Sequence, residues 1–374
     1  MLDRDRDSNP IPFSQELSGF HIFRNFEDVK RGLLDFGTYA SAPSVQRPLP
    51  KGDISQHPQA VAINADPPEH TKWRRLLTAG MNANVPNRIE SRLRADAAQL
   101  VDAMVAKGGG DLIADLAYQI PQRAIFYILG FEQNDELSKV HDITLALLGS
   151  MRDSAAYRKN FERLAELGLE GIHERRKRPR DDFMTVLAEY DFGGRPLNDE
   201  EAGRVMATLL IGGSGTAAST MGSLFWNIFV QPGLRDSLVE NPTLIPAAVE
   251  ETLRLHTPFF ALYRNVTQDH ERHGRRIAAG DTVYMCWQAA NLDPAQFDEP
   301  HAFRLDRDAS RHLTFGLGRH SCVGAPTARM EIRVVAEEFL KRGVRLQPTA
   351  IDTAEFCFEG SETVAVPSLP VAVG

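Results

Sequence analysis

Val205 to Leu234 is a run of thirty residues without a charged side chain, and "LLIGGSGTAAST" sits at its centre. A helix needs about 20 apolar residues to cross a bilayer, so this run is long enough to span one. Gly212, Gly213, Gly215, Ser214, Ser219 and Asn227 interrupt it, and it closes on Gln-Pro-Gly. No aromatic belt marks both of its ends, as a membrane span would show. The expectation is a helix buried on all sides of a large core. Glycine in a helix costs roughly 1 kcal/mol relative to alanine, so something other than helix propensity placed three of them here.

The rest of the chain is mostly helix-patterned. Apolar residues recur at three and four over 26–34, 69–79, 85–106, 116–129, 155–174, 199–230, 244–256 and 326–340. Pro326 and Gly343 sit where a helix start and stop place them. Strand patterns are few: 262–267 and 276–285 flank Gly274 and Gly280, reading as a small antiparallel sheet, and a strand pair is expected around "VAVPSLPVAV". No linker divides the chain, so the expected fold class is mainly α with a small β region, in a single domain over 1–374.

A formal charge of -8 argues against a broad nucleic-acid surface. The basic run "RRKRPR" meets Asp181 and Asp182 at once and reads as a solvated helix end. The start, "MLDRDRDSNP", has charges where a secretory signal has an apolar region. Cys286, Cys322 and Cys357 form no C-x-x-C pair, so neither a disulfide framework nor zinc is indicated. A reducing cytoplasm is the expected setting.

Chemistry concentrates in "FGLGRHSCVGAP", residues 315–326. Glycines at 316, 318 and 324 let the backbone turn tightly, and Cys322 falls just before a helix start. The dipole and free N–H groups there favour a thiolate. Such a thiolate serves as a nucleophile or as an axial ligand to haem iron; the plainer alternative is a buried structural thiol.

This loop fits F-x-x-G-x-[HR]-x-C-x-G, and through it the chain resembles the cytochrome P-450 family over nearly its whole length. The resemblance implies haem b with Cys322 as iron ligand and Phe315 beside it in the cofactor site. It implies that the haem lies between a long distal helix and the helix after the cysteine loop. "EETLRLHTP" supplies Glu251 and Arg254 as a buried clamp beneath the loop. His70 and Arg74 in "ADPPEHTKWRRLL", Arg264 in "YRNVT" and His320 match the residues that hold the haem carboxylates. The uncharged run becomes the distal helix, with Gly212 and Gly213 admitting the macrocycle and dioxygen, and Thr216 relaying protons. Met206, Leu209, Leu210, Phe259, Phe260 and Leu262 are expected to face an apolar substrate, with Phe356 to Phe358 closing the pocket.

Three departures stand out. The family pattern [AG]-G-x-[DE]-T reads Gly212-Gly213-Ser214-Gly215-Thr216 here, so Gly215 replaces the acid. Ordered water, a substrate carboxylate or a peroxide oxidant are the conceivable compensations, and water is the leading one. Ala302 stands where the family often has a third clamp arginine, leaving His301, Arg304 or a two-membered clamp. Only about twenty residues precede "FHIFRNFEDVKRGL", so a shortened first helix and outer strand are expected.

The implied reaction inserts one oxygen atom from O2 into a small hydrophobic molecule, a terpenoid or other biosynthetic intermediate. Electrons would come from NAD(P)H through a separate ferredoxin-type donor and reductase, docking near Arg88, Arg92, Arg94 and Arg319. A monomer without a membrane span, of bacterial type, is expected. The alternatives are a peroxide-driven haem-thiolate enzyme and an inactive partner-binding homologue.

Overall fold

The computed structural model describes residues 6–16, 18–45, 60–131, 139, 142–143, 146–147, 154–343, 345–351, 357–359 and 363–374. Among these, the first helices are α1 (Phe26–Leu34), α2 (Glu69–Gly80), α3 (Val85–Lys107), α4 (Gln119–Leu129) and α5 (Ser154–Arg175). They are followed by α6 (Phe183–Glu189), α7 (Asp199–Val230), α8 (Leu234–Glu240), α9 (Ile245–Leu255), α10 (Trp287–Asn291) and α11 (Ala325–Arg342). The chain divides into two compact units, one of residues 1–71, 250–322 and 358–364, the other of 72–249, 323–357 and 365–374. No helix of the described residues is long and apolar enough to cross a membrane.

The second unit is built on α7. Its start is fixed locally: the Asn198 side chain accepts from the Glu201 N–H at 2.8 Å while Glu201 accepts from the Asn198 N–H at 3.0 Å. Asp199, Glu200 and Glu201 also place negative charge at the positive end of the helix dipole. Several hydroxyls in its apolar middle are satisfied by their own helix. Thr208 donates to the Arg204 carbonyl at 2.7 Å, Ser214 to Leu210 at 3.0 Å and Thr220 to Thr216 at 3.0 Å. A buried hydroxyl with such a partner avoids the cost of an unmet one.

The small residues of α7 are explained by its neighbours. A Cβ at Gly203 would lie 3.0 Å from Ala165 of α5, and one at Gly213 would lie 3.1 Å from Ile125 of α4. Gly213 therefore serves helix packing. Gly212 differs, for a Cβ there meets nothing within 4 Å. Gly212→Ala is accordingly expected to stabilise the fold by up to about 1 kcal/mol, whereas Gly213→Val should destabilise it by about 1–3 kcal/mol through overpacking. Chemical unfolding of the two variants checks the contrast.

Elsewhere in this unit, α3 and α11 are bound by ion pairs. Arg94 meets Glu90, Glu337 and Glu338, and Arg333 meets Glu90 and Glu337. The basic run is not simply a solvated end. Arg175 is buried, donating to Asp182 at 2.8 Å and to the Gly130 carbonyl at 2.7 Å, and Arg176 pairs with Asp199. The segment Pro370–Val373 is a strand as expected, but it pairs antiparallel with Gly109–Asp111 and Leu346–Pro348.

The first unit carries a five-stranded sheet of β1 (Phe13–Ser14), β2 (Phe20–Phe23), β3 (Tyr39–Ala40), β4 (Leu262–Val266) and β5 (Thr282–Met285), in the order β1-β2-β5-β4-β3. β4 and β5 are antiparallel, with Tyr263 opposite Tyr284, while β2 runs parallel to β5. The expected strand over 276–285 is broken at Gly280, whose φ of +86° reverses the chain. Its first part, Arg275–Ile277, instead forms a hairpin with His270–Arg272. The core of this unit gathers Phe23, Val29, Tyr39, Val283, Met285 and Leu313.

Candidate active site

The cysteine loop is closed by its own backbone: the Cys322 N–H donates to the Phe315 carbonyl at 2.7 Å. Gly316 and Gly318 adopt left-handed φ values of +66° and +67°, which side-chain-bearing residues rarely take. Gly318 also lies against α1, where a Cβ would stand 3.1 Å from Leu34 Cδ2. Cys322 itself is exposed, three residues before the start of α11. Cys286 is the contrast: burial pushes its thiol up to about 12, leaving it an inert part of the core.

Beneath the loop, Arg254 grips Glu251 with two hydrogen bonds of 2.8 and 2.7 Å, both side chains fully buried. The remaining guanidinium N–H groups reach the carbonyls of Asn291 at 2.9 Å, Pro300 at 2.7 Å and Ala302 at 3.3 Å. The third clamp side chain is Arg307, whose Nε donates to Glu251 Oε1 at 3.2 Å. The Arg304 side chain does not take that role. Arg304 pairs with Glu299 and Asp306, offering Glu251 only its backbone N–H at 3.1 Å. Asn291 links the clamp to the loop. Its amide donates to Thr257 and Thr314, each at 3.0 Å, and its oxygen accepts from the Leu313 N–H at 2.7 Å.

Arg264, His70 and His320 belong to the same unit as the cysteine. The rings of His70 and His320 stand 4.3 Å apart, and His320 Nε2 lies 3.1 Å from Ser41 Oγ. Arg264 projects from β4 and is buried, with Nη1 donating to the Tyr263 carbonyl at 2.8 Å. Burial pulls its guanidinium down to about 10, and the Asp66 carboxylate opposes that pull. A cation so desolvated gains from a further anion. Arg74 follows His70 by four residues on α2, which puts both on one helix face. Arg264, His70 and His320, the donors within one unit, fit the carboxylates at the edge of haem b.

On α7, the Thr216 hydroxyl donates to the Gly212 carbonyl at 3.2 Å, the same back-bonding its neighbours show. Arg204, Ile211, Gly212, Gly215 and Thr216 are incompletely buried and recur at helical spacing on one face. The expected pocket residues divide differently. Met206 and Leu210 are fully buried, and the Met206 side chain fills the space over Gly168 of α5. Leu209 is buried as well. Phe259 and Leu262 pack on the main sheet core, while Phe260 packs against the small cluster of Ala261, Cys286 and Ala289. Phe356 lies outside the described residues, as do the side chains of Cys357 and Phe358. Periodicity alone missed Ile211, Arg307, Asn291 and Ser41. Only for Ile211 did a local signal exist, its place one residue before Gly212.

The arginines expected to attract an electron donor are largely engaged. Arg94 meets three carboxylates, Arg88 pairs with Asp181 at 2.9 Å, and Arg92 lies over the Tyr127 ring at 3.6 Å. Arg319 lies over Phe36 at 4.6 Å.

Comparison with known proteins agrees with the loop and the fold. The family profile described as Cytochrome P450 matches residues 124–368. The mycinamicin IV hydroxylase/epoxidase of Micromonospora griseorubida is 33% identical over 339 residues, covering 87% of this chain and 83% of that protein. The steroid C26-monooxygenase of Mycolicibacterium smegmatis is 32% identical over 322 residues, covering 83% of this chain and 80% of that protein. Among solved structures, a mutant of P450 EryK in complex with erythromycin B superposes with a TM-score of 0.87 at 28% identity, covering 100% of this chain and 95% of that one. The chain therefore belongs to the cytochrome P450 family of monooxygenases, whose members hold haem b on a cysteine thiolate.

Proposed function

We propose that this monooxygenase inserts one oxygen atom into a hydrophobic small molecule of polycyclic or macrocyclic size, with a ferredoxin-type protein as electron donor. The observation that carries the reading is the loop that presents Cys322 in one compact unit with Arg264, His70 and His320. When bound, the haem supplies dioxygen activation at its iron. Cys322 would be the iron ligand, and Arg264, His70, His320 and, on the sequence resemblance, Arg74 would hold the carboxylates. Relatives named for steroid and macrolide oxidation support the size of the guest, and a terpenoid fits the same description. Ile211 and Gly212, on the open face of α7, are the substrate-facing positions this reading favours over Met206 and Leu210. Thr216 holds a water on that face, and the space left by Gly215 admits a second.

The test is a panel of steroids, macrolides, terpenoids and fatty acids added to the purified holoprotein, followed by turnover with a ferredoxin and reductase under 18O2. One labelled oxygen atom in the product is the expected result; unlabelled product overturns the reading. The proton route has its own test. General acid–base groups contribute about 10²–10⁴-fold, so Gly215→Glu is expected to raise O2-dependent turnover or its coupling by up to about 10²-fold. A large loss instead would show that the space at Gly215 is itself required. Turnover of the wild type with hydrogen peroxide and not with O2 would favour the peroxide-driven reading, which the missing acid motivates.

A further inference from the structure

Asp66 touches the carboxylate cradle in three ways. Its Oδ1 accepts the Ser41 N–H at 3.0 Å and its Oδ2 the Ala42 N–H at 2.9 Å, so both oxygens pin one short segment. That segment carries the Ser41 hydroxyl, buried and 3.1 Å from His320 Nε2. The backbone carbonyl of Asp66 accepts the His70 N–H at 3.0 Å, setting where α2 begins. The Asp66 carboxylate also favours the charged form of buried Arg264. One carboxylate thus bears on His320, His70 and Arg264 without standing in the cradle itself. The neighbouring strand reinforces the arrangement, since Asn265 donates to the carbonyls of Ala42 and Ser44 at 2.8 and 3.2 Å.

We propose that Asp66 is a positioning residue that holds Ser41 against His320 and places a fixed negative charge beside Arg264, thereby lowering the reduction potential of the bound haem and slowing its loss. The charge acts by ordinary electrostatics. A negative group in a partly dehydrated site opposes the gain of an electron nearby, and burial and charge around a haem are known levers on its potential. The geometry acts through two charge-assisted hydrogen bonds, each stronger than a neutral one. In Asp66→Asn the amide nitrogen cannot accept, so one of the two backbone N–H groups loses its partner.

The inference rests on Arg264, His70 and His320 as the carboxylate-holding groups, and the test separates the two claims. Holoproteins carrying Asp66→Asn, Arg264→Gln and Ser41→Ala are compared for reduction potential and for haem transfer to an apoprotein acceptor. Asp66→Asn is expected to shift the potential upward and to speed haem loss about tenfold, the factor that about 1.4 kcal/mol represents. Arg264→Gln, which removes a positive charge, should shift the potential downward and also speed haem loss. Ser41→Ala should speed haem loss with the potential unchanged. A general loosening of the fold would not produce opposite signs in the first two. If Arg264→Gln alters both quantities and Asp66→Asn alters neither, the role of Asp66 is overturned while the cradle stands. If Arg264→Gln alters neither, the cradle reading itself falls, and this inference with it. Should Asp66→Asn fail to retain haem, Ser41→Ala decides: wild-type haem retention in that variant overturns the proposal.

Discussion

Arg254→Leu is expected to destabilise the protein by about 3–5 kcal/mol, the range for removing one partner of a buried ion pair. Glu251 would be left fully buried with only Arg307 and the Arg304 N–H as partners, and the carbonyls of Asn291 and Pro300 would each lose a donor. Asn291 also holds Leu313 and Thr314, just before the cysteine loop, so the damage should travel to Cys322. Chemical unfolding and the fraction of purified protein that holds haem measure the two consequences. The double variant Glu251→Leu/Arg254→Leu should recover part of the stability, because it removes the stranded charge. Equal stability of Arg254→Leu and wild type would mean that the pair does not support the loop.

Cys322→Ser has the opposite profile. The side chain is exposed, and the contact that closes the loop comes from the backbone N–H of residue 322. Stability should therefore change by no more than about 0.5 kcal/mol, as for ordinary surface substitutions. Oxygen insertion should be abolished, since serine at physiological pH supplies no thiolate. The carboxylate-holding side chains are all left in place, so this variant should still take up haem. Turnover assays and thermal unfolding on one preparation separate the loss of chemistry from any loss of fold.

What could be read from the sequence was local. The bounds of α7 follow from the Asn198–Glu201 capping box and the Gln231-Pro232 stop, both within a few residues of the helix ends. The cysteine loop is legible for the same reason: its glycines and its cysteine act within ten residues. Orientation was harder. The outward face of α7 depends on which helices pack against it, and a pattern of small residues does not distinguish Gly213, set against Ile125, from Gly212, which faces open space. The packing of Met206 was hidden on the same ground, because Gly168, over which it lies, is on another helix.

Long-range partners left no mark in the periodicity. Arg307 reaches Glu251 across 56 residues because the intervening chain folds back, and nothing in "RLDRD" distinguishes it from Arg304. Pro370–Val373 finds its strand partners at Gly109–Asp111 and Leu346–Pro348 for a similar reason. Asp66 and Ser41 carry no local signal either, for only the fold brings the Asp66 charge to bear on Arg264 and sets the Ser41 hydroxyl beside His320.

The central claim is that Cys322 is the iron ligand of a haem held in this fold. Its most direct test is the absorption spectrum of the purified holoprotein, reduced and exposed to carbon monoxide, compared with that of Cys322→Ser. A thiolate-ligated spectrum in the wild type, lost in the variant, is the predicted result. Identical spectra in the two proteins, or failure of the wild type to bind haem b on reconstitution, would contradict it.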